Sequence, residues 1–131
     1  MKITLLIARV LLGLIFLVFG LDFYFHFVSG IVNLPSAGEK ADAFFGALAA
    51  VKYFFPFLKV IEIICGLFLL INRFAQFFTI VIFPVTVNIF LFHAYVAQNY
   101  WPLGTVMLLL NLFLIYAYRK YYFGLFITPQ A

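Results

Sequence analysis

Four apolar runs, Ile3 to Phe27, Val51 to Ile71, Phe74 to Ala97 and Trp101 to Tyr118, occupy most of the chain. At a helical rise of about 1.5 Å per residue, each is long enough to cross a hydrocarbon core of ~30 Å. Apolar residues in them are continuous rather than alternating, which predicts helices with internally bonded backbones and not the strands of a barrel. The third and fourth runs hold no Asp, Glu, Lys or Arg. The pattern predicts an all-α protein: a transmembrane four-helix bundle forming a single domain over residues 1–131.

The breaks between the runs differ in kind. Ser29 to Ala50 includes Asn33, Pro35, Ser36 and Gly38 and then turns helical, with Ser36 and Glu39 spaced as a capping box. Ala41, Phe44, Phe45 and Leu48 supply an apolar face, so a short extracytoplasmic surface helix is expected over about residues 37–50. Pro56 bends the second run or starts it afresh. Asn72-Arg73 and Gln98-Asn99-Tyr100 are tight links, which make successive helices antiparallel neighbours. The first run is too long for a cleavable signal, carries Asp22 and His26 too late, and offers only Phe19-Gly20-Leu21 as a cleavage site, so it is expected to persist.

Composition excludes an ordinary soluble domain: 68% of residues are hydrophobic, 9% are charged, and mean hydropathy is +1.22. The 20 Phe and 8 Tyr suit both packing between helices and the membrane interface. Charge then sets orientation. With four crossings, Lys2, Arg73, Arg119 and Lys120 share one side, and Lys40 and Lys52 lie on the other near Glu39 and Asp42. Basic residues concentrate on the cytoplasmic side, so both termini are expected in the cytoplasm. The net charge of +4 calls for no nucleic acid; anionic lipid headgroups suffice as partners for Arg119 and Lys120.

Candidate chemistry centres on Lys59 and Glu62, three residues apart inside the second run. Charges at that depth cost roughly 2.5–3.5 kcal/mol each on insertion scales, so they need pairing, water or a task. Glu62, Asn88 and Asn111 fall near mid-depth, Lys59 slightly outward, Asp22, His26 and His93 towards the outer face, and Arg9 in the inner half. These eight residues suggest an intramembrane polar pocket with an outer mouth beneath the surface helix. Angular positions do not let all of them share one cavity without distortion: Asn88 points about 140° from His93 unless Pro84 loosens the helix. Thr79, Thr86 and His93 form a second polar stripe, and Gly13, Gly20 and Gly66 read as close-packing positions.

Each candidate has a plainer reading. Lys59 and Glu62 form a structural ion pair with Lys59 snorkelling outward, or else Glu62 is a protonatable carboxyl tuned by Lys59. Asn88 and Asn111 read first as hydrogen bonds between helices. His26 and His93 sit on diagonal helices and are the one pair able to ligate haem or a metal; with no HExxH or Glu-x-x-His motif, neither group is expected. Cys65 is the only cysteine, so an intramolecular disulfide and a Cys-x-x-Cys relay are excluded. No phosphate-cradling glycine loop or nucleophile elbow supports nucleotide or hydrolase chemistry.

The segments ARVLLGLIFLVFG (Ala8 to Gly20), GALAAVKYFFPFLKVIEIICGLFLLINRF (Gly46 to Phe74) and FPVTVNIFLFH (Phe83 to His93) together resemble the DoxX family of small bacterial four-helix membrane proteins. The resemblance runs from Ile3 to about Tyr118 and rests on Arg9, Gly13, Gly20, Pro56, Glu62, Gly66, Asn72, Arg73, Pro84, Asn88 and His93, while Lys52 departs from the pattern. Some members of that family are linked to the membrane part of thiosulfate:quinone oxidoreduction, others to oxidative-stress complexes. The resemblance implies a non-catalytic membrane subunit or anchor of a redox-associated complex, with lipids and other membrane or redox proteins as partners. Two alternatives stand beside it. One is a quinone-binding oxidoreductase subunit in which Glu62 or His93 handles the proton. The other is a small-solute carrier or channel, which a chain this small would form as a homo-oligomer.

Overall fold

The computed structural model describes residues 2–25, 38–96 and 101–126, and these are all-α. The α-helices are α1 (Lys2–Phe25), α2 (Glu39–Ala50), α3 (Phe54–Leu70), α4 (Ala75–Tyr95) and α5 (Trp101–Ala117), followed by 3-10 turns at Arg119–Tyr121 and Phe123–Phe126. Helices α1, α3, α4 and α5 form a ring in which each packs on two neighbours; α1 lies beside α3 and α5, and α4 completes the circle. Contacts run in opposite order along α1 and α3, Arg9 to Leu69 and Tyr24 to Pro56, and along α4 and α5, Thr79 to Asn111 and His93 to Gly104, so both pairs are antiparallel.

By length and hydropathy, α1 and α4 are candidate membrane spans on their own. Helices α3 and α5 have 17 residues each, about 25 Å of helix, and reach span length only when joined to the bent segments beside them. The chain thus holds two to four candidate spans. The second run begins three residues later than its hydrophobicity suggests, because Val51–Tyr53 is a joint where the chain turns by 97° from α2 into α3. Pro56 does not make that bend. It sits in the first turn of α3, where a missing N–H leaves no helical bond unmade.

Local chemistry explains the other ends. Helix α2 starts at Glu39 behind Gly38, whose φ of 110° suits glycine, and Glu39 and Asp42 place negative charge in the first turn. Glu39 therefore occupies the first helical position rather than the third, and Ser36 lies outside the described residues, as do His26 and the Gln98-Asn99-Tyr100 link. Helix α3 stops at a left-handed Asn72, φ 56°, and the Arg73 N–H closes back on the Phe68 carbonyl at 3.1 Å. Pro84 is carried inside α4 without ending it.

The seam between α1 and α3 is the tightest in the molecule. A Cβ added at Gly66 would lie 2.7 Å from the Gly13 carbonyl oxygen and 2.7 Å from the Leu17 nitrogen. Only hydrogen fits there, and close backbone approach is how small residues join helices in lipid. Beside the seam, Leu12, Phe16 and Leu69 are fully buried, while Ile3, Leu6, Ile7, Leu11 and Leu14 cover the outward side of α1. At the far end the buried Tyr122 donates to the Gln76 carbonyl at 2.7 Å, tying the 3-10 segment to α4.

Gly66→Ala is expected to destabilise the bundle by about 1–3 kcal/mol, because the blocking atoms are backbone and cannot swing aside. Gly46→Ala, which meets nothing within 4 Å, should be neutral or slightly stabilising, and thermal unfolding of the two variants in detergent measures the contrast.

Candidate functional site

The side chains of a helix lean towards its N-terminus, and α3 runs away from α2, so Lys59 leans back towards α2 while Glu62 sits one turn further along. Their separation of three residues brings Lys59 Nζ to 3.0 Å from Glu62 Oε2. The Glu62 side chain is 4% exposed and that of Lys59 19%. The contact pairs the two charges inside the bundle, with the carboxylate the more deeply buried partner.

The pair opens on a cavity of about 410 Å³ lined by residues of all five α-helices. Its wall is mostly aromatic and aliphatic: Phe16 and Phe19 from α1, Phe54 and Phe55 from α3, Phe92 from α4, and Leu103 and Met107 from α5. Helix α2 forms the roof. Phe44 and Phe45 reach down to Phe92 with ring centroids 5.2 Å and 4.9 Å apart, and Phe45 also meets Phe55 at 6.1 Å. The amphipathic face of α2 therefore packs against protein, turning an otherwise open groove into a chamber.

Lys59, Glu62, Asn88 and His93 come together around this cavity. Asn88 and His93 reach it despite their angular separation on α4, because the cavity is wide enough to take in both sides of that helix. His93 Nδ1 lies 2.8 Å from the Ile89 carbonyl oxygen. A carbonyl only accepts, so Nδ1 is the donor in this contact, and Nε2 is the ring nitrogen left for other partners. The ring packs against Gly104, where an added Cβ would sit 3.0 Å from Nδ1. Asp42 also borders the cavity from the roof. Sequence reasoning treated Asp42 only as a topological charge; its place next to the inward-facing Ala41, Phe44 and Phe45 is the signal that assigns it.

The remaining residues lie elsewhere. Asn111 is fully buried and donates to the Thr79 carbonyl at 3.2 Å, joining α5 to α4. Thr79 and Thr86 return their hydroxyls to the carbonyls four residues back, so the stripe they form with His93 is satisfied within α4. Arg9 is buried at the opposite end of the bundle, where Nη1 donates to the Leu69 and Leu70 carbonyls. Asp22, partly exposed near the end of α1, does not border the cavity, and His26 lies outside the described residues. Among the described residues, no group of three or more His, Cys, Asp or Glu side chains is placed to hold a metal ion. Cys65 is a buried free thiol.

Comparison of the chain with protein-family models, with curated proteins and with solved structures gave no match.

Removing one member of the charge pair leaves the other buried alone. Lys59→Met is expected to destabilise by about 3 kcal/mol, and adding Glu62→Leu should restore most of the loss. A double-mutant cycle of thermal unfolding measures the coupling.

Proposed function

We propose that the chain is a four-crossing membrane subunit of the bacterial cytoplasmic membrane, with both termini in the cytoplasm, whose outer cavity holds the ring of a quinone-like lipophilic molecule within a redox-associated complex. The observation that carries this reading is the aromatic chamber of about 410 Å³ with one buried, charge-paired carboxyl on its wall. Pockets for small lipophilic molecules combine such apolar walls with a few convergent polar groups. The resemblance to the DoxX family, some of whose members are linked to quinone reduction, is a second support.

The residues fit the group. Phe45 and Phe92 offer ring faces for stacking, the Lys59 ammonium and the Asn88 amide can donate to carbonyl oxygens, and the Glu62 carboxylate has acceptor lone pairs beyond its Lys59 contact. A bound quinone supplies two-electron, two-proton chemistry. The chain's own contribution is to orient the ring, exclude water under α2, and hold a proton at the Glu62 carboxyl or at His93 Nε2. Electrons come from another protein of the complex, which makes this chain the membrane anchor and ligand holder rather than a complete enzyme.

Titration of a short-tailed quinone into the purified protein in nanodiscs, followed by the difference spectrum, tests the reading. Saturable binding is expected, weakened about 10-fold by Phe92→Ala through lost stacking and burial. A flat titration overturns it. The crossing is tested separately by thiol labelling from each side of sealed vesicles. Buried Cys65 should stay silent, and Lys52→Cys and Arg73→Cys should react from opposite faces. Reaction from the same face removes the four-crossing arrangement.

A further inference from the structure

At the end of the bundle away from α2, a second cavity of about 360 Å³ is walled mostly by polar atoms. Its wall gathers Lys2 and Arg9 from α1, Asn72 from the α3–α4 turn, Gln76 from α4, and Tyr118 and Tyr121 from the segment after α5. Four separate parts of the chain meet there. We infer that this cavity is a binding site for a phosphate-bearing anion, with Arg9 as its fixed cation and Lys2 as its mobile one.

Arg9 carries the argument. It is 7% exposed, and among the described residues its guanidinium bonds only through Nη1, to the carbonyls of Leu69 and Leu70 in the last turn of α3. Those carbonyls are the negative end of a helix and hold the guanidinium plane in place. They do not neutralise it. Nε and Nη2 remain without a hydrogen-bond partner among the described residues, which leaves the edge of a planar cation free to take two oxygens of one tetrahedral anion. A buried cation calls for a counter-charge, and no carboxylate among the described residues supplies one here. The chain's carboxylate side chains are Asp22, Glu39, Asp42 and Glu62, and none of them borders this cavity.

The other groups match the same ligand. The Lys2 ammonium, the amides of Asn72 and Gln76 and the phenols of Tyr118 and Tyr121 can all donate, so the site is rich in donors and has no anionic acceptor. The nearby basic residues Arg119 and Lys120 are not part of it. Arg119 is engaged by the Tyr116 carbonyl at 2.8 Å and the Tyr116 ring, and Lys120 lies over Tyr121. Leu5 and Leu6 form the apolar lip of the cavity, continuous with exposed Ile3 and Ile7 on α1. An acyl chain attached to the phosphate would run along that strip, so the same chemistry serves an anionic phospholipid headgroup or a free phosphate.

The test uses the full chain in detergent. Native mass spectrometry compares retention of phosphatidylglycerol with phosphatidylcholine of the same acyl length, and thermal unfolding compares inorganic phosphate with chloride at equal ionic strength. Preferential retention of phosphatidylglycerol identifies the lipid source; a shift with phosphate alone identifies the soluble source. Lys2→Gln is expected to weaken whichever ligand binds by ~5-fold, the effect of one cation near an anionic group. Arg73→Gln removes the same charge at this end of the bundle but outside the cavity wall, and should leave binding within about twofold. Because Arg9 also anchors the end of α3, Arg9→Gln is read only beside Lys2→Gln. Equal retention of both lipids with no phosphate shift overturns the site. So does an equal loss in Lys2→Gln and Arg73→Gln, which would reduce the effect to general surface charge.

Discussion

The molecule depends on the backbone contact between α1 and α3. In lipid there is no hydrophobic drive to bring helices together, so close packing and interhelical hydrogen bonds must do it. The seam has both. Gly13 and Gly66 touch in the middle, Gly20 packs on Ile63 further out, Arg9 reaches the last carbonyls of α3 at one end, and Tyr24 donates to the Pro56 carbonyl at 3.0 Å at the other. With the contact set along its whole length, neither helix can slide or roll, and the faces that α3 presents elsewhere are fixed. Lys59 and Glu62 are held on the chamber side by hydrogen atoms on the opposite helix.

The fold was largely legible because hydrophobic run length is a local property. Runs of that length without alternation can only be helices, and the tight turn at Asn72 makes neighbours of what it joins. The ends were less so. Hydrophobicity does not distinguish a helix from the turn at Val51–Tyr53, and a proline in the first turn of a helix reads the same as one at a bend. The depth of Glu62, Asn88 and His93 followed from counting residues, and they do share a cavity. Arg9 and Asn111 sit at plausible depths but face other partners, because periodicity fixes a direction on one helix and says nothing of which neighbour stands there. The aromatic roof was the hardest part to read. Phe44 and Phe45 meet Phe92 only because the chain turns by 97° after α2, a tertiary consequence with no local sequence mark.

The two ends of the bundle differ in chemistry. All four acidic side chains fall between Asp22 and Glu62, in the half that holds the aromatic chamber and its roof, or at its floor. The opposite end has Lys2, Arg9, Arg73, Arg119 and Lys120 and no acidic side chain. One end therefore holds a mostly apolar cavity with a charge pair on its wall, and the other a cationic cavity with no carboxylate side chain on its wall. The two cavities of this small bundle share no wall residue.

The amide tie between Asn111 and the Thr79 carbonyl has a reach beyond its own position. Shifting α5 along α4 by one turn would strand that amide against hydrocarbon, so it acts as a detent that admits a single register. Met107 and Leu103 stand one and two turns further along the same helix and inherit that register. The height of the chamber's fifth wall is thus indexed from below, by a residue that never touches whatever the chamber contains.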